Sequence, residues 1–383
     1  MKASLLVVAG EVSGDMHAAE VVREIRRREP GISVFGIGGD ELRAVGMELS
    51  YHIREMAVFG PFAVLAKYPH FRRVFKTMVR QAEIRQPDAV LLIDYGGFNL
   101  RFAREVKKLG IPVLYYISPQ VWASRRSRIY AMAEAVDRLM VIFPFEPEVY
   151  RKTDLRVDFV GHPLVDAAAE VLRKPLAELP WLGEPRIALL PGSRRQEIDT
   201  IMPVMIKTAC LVEQSYPQCS FIFAAPNAEI RALILHHLHV SKEMPTRWET
   251  VSGQTRQVLR QATAALVTSG TATLEAALMH CPMVILYKIS WILYMVARHL
   301  IKIPYIGMVN LVADRLLCEE FIQDEASPQA LARALGPILE YTNERECMIQ
   351  GLNEVCCRLG EGGAAGRVAV IVQEALREKI SDR

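Results

Sequence analysis

The sequence predicts an α/β fold, two Rossmann-like domains facing a crevice, with C-terminal helices. Three observations predict it. Short β-branched runs alternate with segments of helical period, the mark of parallel sheets covered on both faces. That rhythm restarts after a charged, proline-containing stretch at 168–185. Finally, 383 residues exceed what one typical core organises. The partition that follows is residues 1–167, 168–345, and a helical segment over 346–383.

In the first half, strands are predicted at Ser4–Ala9, Ser33–Gly36, Ala89–Ile93, Val113–Ile117, Leu139–Ile142 and Asp158–Val160. Helical period runs through His17–Arg28, Phe71–Arg85, Leu100–Leu109 and Arg126–Ala135. The opening run Leu5–Ala9 is too short for a secretory leader and leads into a glycine turn and an acid, so it reads as a first strand. After the restart, strands are predicted in RIALL at 186–190, at Ser220–Ala224, at Ala264–Thr268 and at Met283–Tyr287; residues 328–380 read as helices only.

Composition removes several classes. With 51% apolar and 23% charged residues the chain is globular, and 46 basic against 43 acidic side chains is too even for wrapping nucleic acid. The seven cysteines (Cys210, Cys219, Cys281, Cys318, Cys347, Cys356, Cys357) include no C-x-x-C pair and read as reduced packing residues of a cytosolic protein. No uncharged apolar stretch reaches the ~20 residues a spanning helix needs. The nearest, 289–309, is interrupted by Arg298, His299, Lys302 and Pro304, so the expectation is a soluble or surface-bound chain.

Four strand-to-helix loops carry the chemistry. In AGEVSGD (9–15), glycines allow a sharp turn and close approach of a ligand. Glu11 there would repel a phosphate, so the loop suits sugar hydroxyls or a cation; the alternative is a tight turn capped by Ser13 or Asp15. In LLIDYGGFNLRFA (91–103), Asp94 arrives as a buried strand ends, placed to accept a hydrogen bond or a proton, unless Asp94 or Asn99 merely caps the next helix. In LLPGSRRQEI (189–198), Gly192, Ser193 and Arg194 combine backbone N–H groups, a hydroxyl and a guanidinium into an anion site; the alternative is a capping arrangement with Gln196 or Glu197. In SGTATLEAAL (269–278), Ser269, Gly270 and Thr271 meet a helix start where its dipole is positive, and Glu275 lies one turn in, placed to accept from ribose hydroxyls. Neither domain's first strand is followed by G-x-G-x-x-G, which argues against a nicotinamide-dependent oxidoreductase.

Together with YYISPQVWAS (115–124), FPFE (143–146), VGHPLVD (160–166) and VNLVADRLLCEEFIQ (309–323), these motifs in this order resemble lipid A disaccharide synthases, bacterial inverting glycosyltransferases of the GT-B fold. The family's usual IDxPDFN stands here as IDYGGFN, with Gly96 and Gly97 replacing a proline and commonly an aspartate, while Asp94 is retained. His17 and Ala18 stand where a leucine and a glycine are common, and His17 is assigned no role.

The resemblance implies transfer of 2,3-diacylglucosamine from UDP-2,3-diacylglucosamine to the 6-hydroxyl of 2,3-diacylglucosamine 1-phosphate (lipid X), without cofactor or metal. Asp94 would be the base and Glu11 a second catalytic residue, in contact with the acceptor or donor sugar. The Gly192–Arg194 and Ser269–Thr271 loops, Glu275 and Asn310 would hold UDP, and Tyr287, Ile306 and Met308 would line the uracil pocket. The first domain would take the acceptor and its lipid, the second the UDP-sugar, and the helices over 346–383 would return to the first. The histidines of LHHLH (His236, His237, His239) read as a solvated helix face, and no D-x-D motif is present.

Lipid substrates demand a membrane face, so the expected location is cytoplasmic, peripheral to the inner membrane, with a homodimer among the expected partners and no nucleic acid. Phe59, Phe62, Leu65, Phe71 and Phe75 interleave with basic residues including Arg72 and Arg73, and Trp291 lies near Arg298 and Lys302. The alternative for each segment is an amphipathic helix packed on its own domain. Rival functions are a UDP-N-acetylglucosamine 2-epimerase, another UDP-sugar transferase, or a non-enzymatic UDP-sugar sensor.

Overall fold

The structure is a computed structural model that describes residues 3–56, 61–124, 128–291, 294–295 and 303–381, with backbone alone for 61–68 and 124. The chain forms two compact units, residues 1–163 with 361–383, and residues 164–360.

The first unit holds a seven-stranded sheet: β1 (Ser4–Ala9), β2 (Ser33–Gly38), β3 (Glu48–His52), β4 (Ala89–Ile93), β5 (Val113–Tyr116), β6 (Arg138–Val141) and β7 (Arg156–Phe159), in spatial order 3-2-1-4-5-6-7. All neighbours run parallel. Leu5–Ala9 and Ala89–Ile93 are fully buried, the continuous apolar reading expected of strands covered on both faces. Their register pairs Leu5 with Ala89 and Ala9 with Ile93, so the two strands end level and deliver Gly10 and Asp94 side by side.

The second unit repeats the plan with β8 (Arg186–Leu190), β9 (Ser220–Ala225), β10 (Trp248–Ser252), β11 (Ala264–Thr268), β12 (Met283–Tyr287) and β13 (Glu320–Ile322), ordered 10-9-8-11-12-13. Its core packs Ile187, Leu189, Phe221 and Phe223 against Met202, Met205, Leu331 and Leu335. In both sheets the strand order reverses once, between β1 and β4 and between β8 and β11. A parallel α/β sheet opens a ligand-accepting gap at such a point, and the four loops singled out from the sequence are the ones that leave these four strands.

Several details differ from the sequence expectations. β3, β10 and β13 lie at sheet edges and were not predicted; β3 and β13 are half-buried or exposed and lack an apolar run. The helix after β4 begins at Gly96 instead of Leu100, and the first helix begins at Val12 instead of His17. The unit boundaries fall at 163/164 and 360/361 rather than 167/168 and 345/346. The helix Asn343–Arg358 packs on Ala272–Leu278 and Met308–Ala313 and so belongs to the second unit, while Ala364–Ser381 packs on Val12–Arg28 in the first. All seven cysteines are free, and among the described residues no helix is long and apolar enough to cross a membrane.

Candidate active site

In the first unit the β1 and β4 loops interlock. The Tyr95 ring lies on Gly10 so closely that a Cβ at position 10 would sit 2.3 Å from it, which is why the turn needs glycine there. Asp94 and Tyr95 both adopt left-handed backbone, φ 47° and 50°. Two consecutive non-glycine residues in this region cost about 1–3 kcal/mol each, a strain that persists only where the surroundings over-determine it.

Here Asn99 over-determines it. Fully buried inside the helix Gly96–Lys108, its amide donates to the carbonyls of Asp94 (2.9 Å), Ile93 (3.1 Å) and Val8 (3.4 Å), and the Tyr115 hydroxyl donates to the Asp94 carbonyl as well. Neither Asp94 nor Asn99 is a helix cap; Asn99 braces the backbone from which the Asp94 side chain projects. Burial pushes the Asp94 pKa up, the neighbouring Glu11 carboxylate adds to the rise, and a backbone hydrogen bond from Tyr95 opposes it. Asp15 does not cap its own helix; it accepts from the backbone N–H groups of Gly39 (2.6 Å), Glu41 (3.0 Å) and Leu42 (3.2 Å), tying the β1 loop to the end of β2.

Beside this turn lies a cavity of about 1150 Å³, lined among others by Glu11, Asp40, Glu41, Arg54, Phe71, Arg72, Phe75, Tyr95, Phe98 and Arg101. Phe75 meets Phe98 edge-on at 5.5 Å between ring centroids, and Tyr95 and Phe98 lie 5.6 Å apart. Phe71 and Phe75 are also partly packed on the core, and Arg72 and Arg73 are exposed. Phe59, Arg298 and Lys302 lie outside the described residues, as do the side chains of Phe62 and Leu65. Trp291 is 68% exposed.

In the second unit, Gly192 (φ 108°) and Gly270 (φ 149°) turn their loops through conformations that L side chains rarely adopt. Among the described residues, the backbone N–H groups of Gly192, Ser193, Gly270, Thr271 and Ala272 have no acceptor. Arg194 pairs with Glu197 (2.8 Å) and keeps its side chain 80% exposed. Glu275 has one carboxylate oxygen on Arg256 (2.8 Å). The Ser269 hydroxyl donates to the Ile306 carbonyl (2.8 Å), and Glu320 accepts from the N–H groups of Ile306 and Gly307 (2.8 Å each), which ties Ile306 to the Ser269 loop, with Met308 two residues on in the chain. Burial raises the Tyr287 pKa, with Glu197 adding to the rise and Arg194 opposing it, which puts Tyr287 in the same neighbourhood.

Asn310 calls for a correction. It is 0% exposed, donates to the Cys318 carbonyl and to Glu320 (2.7 Å each), and accepts from the N–H groups of Leu317 (3.0 Å) and Cys318 (2.9 Å). Its amide is spent on shaping the loop instead of meeting a phosphate. In LHHLH, His237 pairs with Asp199 at 2.8 Å and His236 and His239 are exposed.

A family model described as Lipid-A-disaccharide synthetase matches residues 5–358. The chain belongs to that family. It is 40% identical over 377 residues to the lipid-A-disaccharide synthase of Anaeromyxobacter sp. (strain K), covering 97% of each chain. Among solved structures it is similar to a glycotransferase of kitacinnamycin (TM-score 0.63, 16% identity, 98% and 99% of the two chains). It is also similar to the UDP-GlcNAc 2-epimerase of Neisseria meningitidis bound to UDP-GlcNAc (TM-score 0.60, 13% identity, 99% and 100%). At such identities the likeness shows the fold alone: two parallel-sheet α/β domains of the GT-B kind. Family membership favours the disaccharide synthase over the epimerase and sensor readings.

Proposed function

We propose that this chain transfers 2,3-diacylglucosamine from UDP-2,3-diacylglucosamine to the 6-hydroxyl of 2,3-diacylglucosamine 1-phosphate, forming the lipid A disaccharide 1-phosphate and UDP. The observation that carries the reading is Asp94, a partly buried carboxylate on a strained turn beside Glu11, whose chain neighbour Tyr95 lines, with Glu11, an aromatic cavity fit for acyl chains. Asp94 takes the proton of the acceptor hydroxyl as its oxygen attacks the donor's anomeric carbon. The bond from that carbon to the diphosphate oxygen breaks with its electron pair on UDP, and the configuration inverts. Glu11 accepts from a sugar hydroxyl.

The open N–H groups of the Gly192 and Ser269–Thr271 loops, with Ser193 and Arg194, receive the charge that develops on UDP; donors of this kind are each worth roughly 3–4 kcal/mol in comparable sites. Glu275 keeps an oxygen for the ribose, and Tyr287, Ile306 and Met308 line the base pocket. Phe71 and Phe75 take acyl chain, and Arg73 and Trp291, each on its own unit, supply basic and aromatic groups for the inner membrane's cytoplasmic surface, where the substrates reside.

The test is UDP release from UDP-2,3-diacylglucosamine in detergent micelles, with and without the acceptor. Release should require the acceptor and fall by roughly 100- to 10,000-fold in Asp94→Ala, the range for loss of a positioned base, while UDP still binds. Turnover without acceptor would indicate a hydrolase or epimerase, and acceptor-dependent turnover surviving the substitution would remove Asp94 from the mechanism.

A further inference from the structure

We propose that Arg72 and Arg101 form the site that reads the acceptor's phosphate, a basic edge on the aromatic cavity of the first unit; this rests on the transferase reading above. Two helices meet there. Gly96–Lys108 lines the cavity with Gly97, Phe98 and Arg101, and Pro61–Arg85 lines it with Phe71, Arg72 and Phe75. The edge-on contact of Phe75 with Phe98 makes an apolar seam between the helices, and each helix contributes one arginine to the same cavity. Among the described residues neither guanidinium is in an ion pair, whereas Arg54, the third arginine of the lining, is held by Asp40 at 2.8 Å.

Gly97 accounts for the open state of Arg101. An aspartate at 97 would lie one turn N-terminal to Arg101, the favourable order for an i,i+4 pair, and would occupy its guanidinium. Glycine supplies no carboxylate, and a Cβ built there would meet nothing within 4 Å, so the wall beside Arg101 has room and no negative charge of its own. The remaining charged lining is acidic: Glu11, Asp15, Asp40 and Glu41. A phosphate monoester is repelled by these and drawn to the arginines, which bind it through charge-assisted, bidentate hydrogen bonds. The sugar's hydroxyls are then left to the carboxylates and its acyl chains to the phenylalanines. One cavity thus reads all three chemical parts of the acceptor.

The experiment compares 2,3-diacylglucosamine 1-phosphate with its dephosphorylated form as acceptor, for the wild type, Arg72→Gln, Arg101→Gln and Gly97→Asp. The wild type should prefer the phosphorylated acceptor. Each arginine substitution should raise its KM roughly tenfold or more, with kcat, the donor KM and the KM for the dephosphorylated acceptor little changed, and Gly97→Asp should behave like Arg101→Gln.

An equal rise for both acceptors would mean that the arginines only shape the cavity. An unchanged KM with weaker binding to phosphatidylglycerol vesicles would assign them to the membrane surface; either result overturns the proposal. Should the wild type release no UDP with either acceptor, the transferase reading fails, and calorimetry with dodecyl phosphate against dodecyl maltoside still decides the clamp. A preference for the phosphate that disappears in the arginine variants supports it, and no preference in the wild type sinks it.

Discussion

In the proposed reaction Asp94 accepts a proton from an alcohol, and its surroundings adjust it in that direction: burial and the Glu11 charge both raise its pKa, making the carboxylate more basic. Because the base works ionised, activity should fall as pH drops through that raised value. Glu11→Gln removes one of the two causes, so the acid limb of the kcat/KM profile should move to lower pH with turnover retained above it. Loss of turnover at every pH would instead show that Glu11 acts on the substrate directly and does more than tune Asp94. A second carboxylate, Glu146 of FPFE, is 1% exposed and accepts from the backbone N–H groups of Ile142 (3.2 Å) and Phe143 (3.0 Å). Its folded pKa is raised by burial from 4.5 to about 7, the neutral form is favoured in the fold, and the protein therefore loses stability as pH climbs through that window. Glu146→Gln abolishes the titration. The melting temperature of the variant relative to wild type should rise between pH 4.5 and 7 and level off above, by no more than about 3 kcal/mol in free energy; a flat difference across that range would show that Glu146 is not perturbed.

At the scale of elements, the working part is a loop between a level strand end and a helix, held by a residue inside that helix. Asn99→Ala deletes the three amide bonds that pin the left-handed Asp94–Tyr95 turn. It should cost about 1–3 kcal/mol of stability in denaturant unfolding, and kcat should fall while UDP affinity, which the proposed function assigns to the other unit's loops, stays; a stability loss with normal kcat would show that the turn holds itself. This brace was not legible in the sequence. Asn99 was visible only as part of IDYGGFN, with capping as its alternative role, because its partners Val8 and Tyr115 are distant in the chain and meet it only once the sheet has formed. Asp15 was missed for the same reason, its acceptor role lying across to Gly39 and Leu42. The central strands, by contrast, were legible to within a residue or two, since β1, β4, β8 and β11 are covered on both faces and must be apolar throughout. Edge strands β3 and β13 have no such requirement and leave no run to read.

Across the whole molecule, each unit owns a sheet and its own pair of switch-point loops, yet the first unit is finished by the end of the chain. The helix Ala364–Ser381 buries Val368, Ala369, Ile371, Val372 and Leu376 and packs on Val12–Arg28, whose Ala18, Val21, Val22 and Ile25 are likewise buried. Polar ties extend the same surface: Glu374 to Arg138 (2.6 Å), Arg367 to the Val160 carbonyl (2.8 Å) and Lys379 to the Gly110 carbonyl (2.8 Å). Fully burying a valine, leucine or isoleucine stabilises by about 1.5–3 kcal/mol, so losing four of them is comparable to the roughly 5–15 kcal/mol that holds a domain together. Removing residues 361–383 should therefore unfold the first unit selectively. Hydrogen exchange should show protection lost in β1, β4 and Val12–Arg28, while β8 and β11 stay protected and UDP still binds. Catalysis would vanish although every residue assigned to it is still present, because Asp94 is aimed by a sheet whose outer layer is incomplete without the tail. Retained protection in Val12–Arg28 would show that the first sheet closes its core unaided and that the returning helix is dispensable to the site.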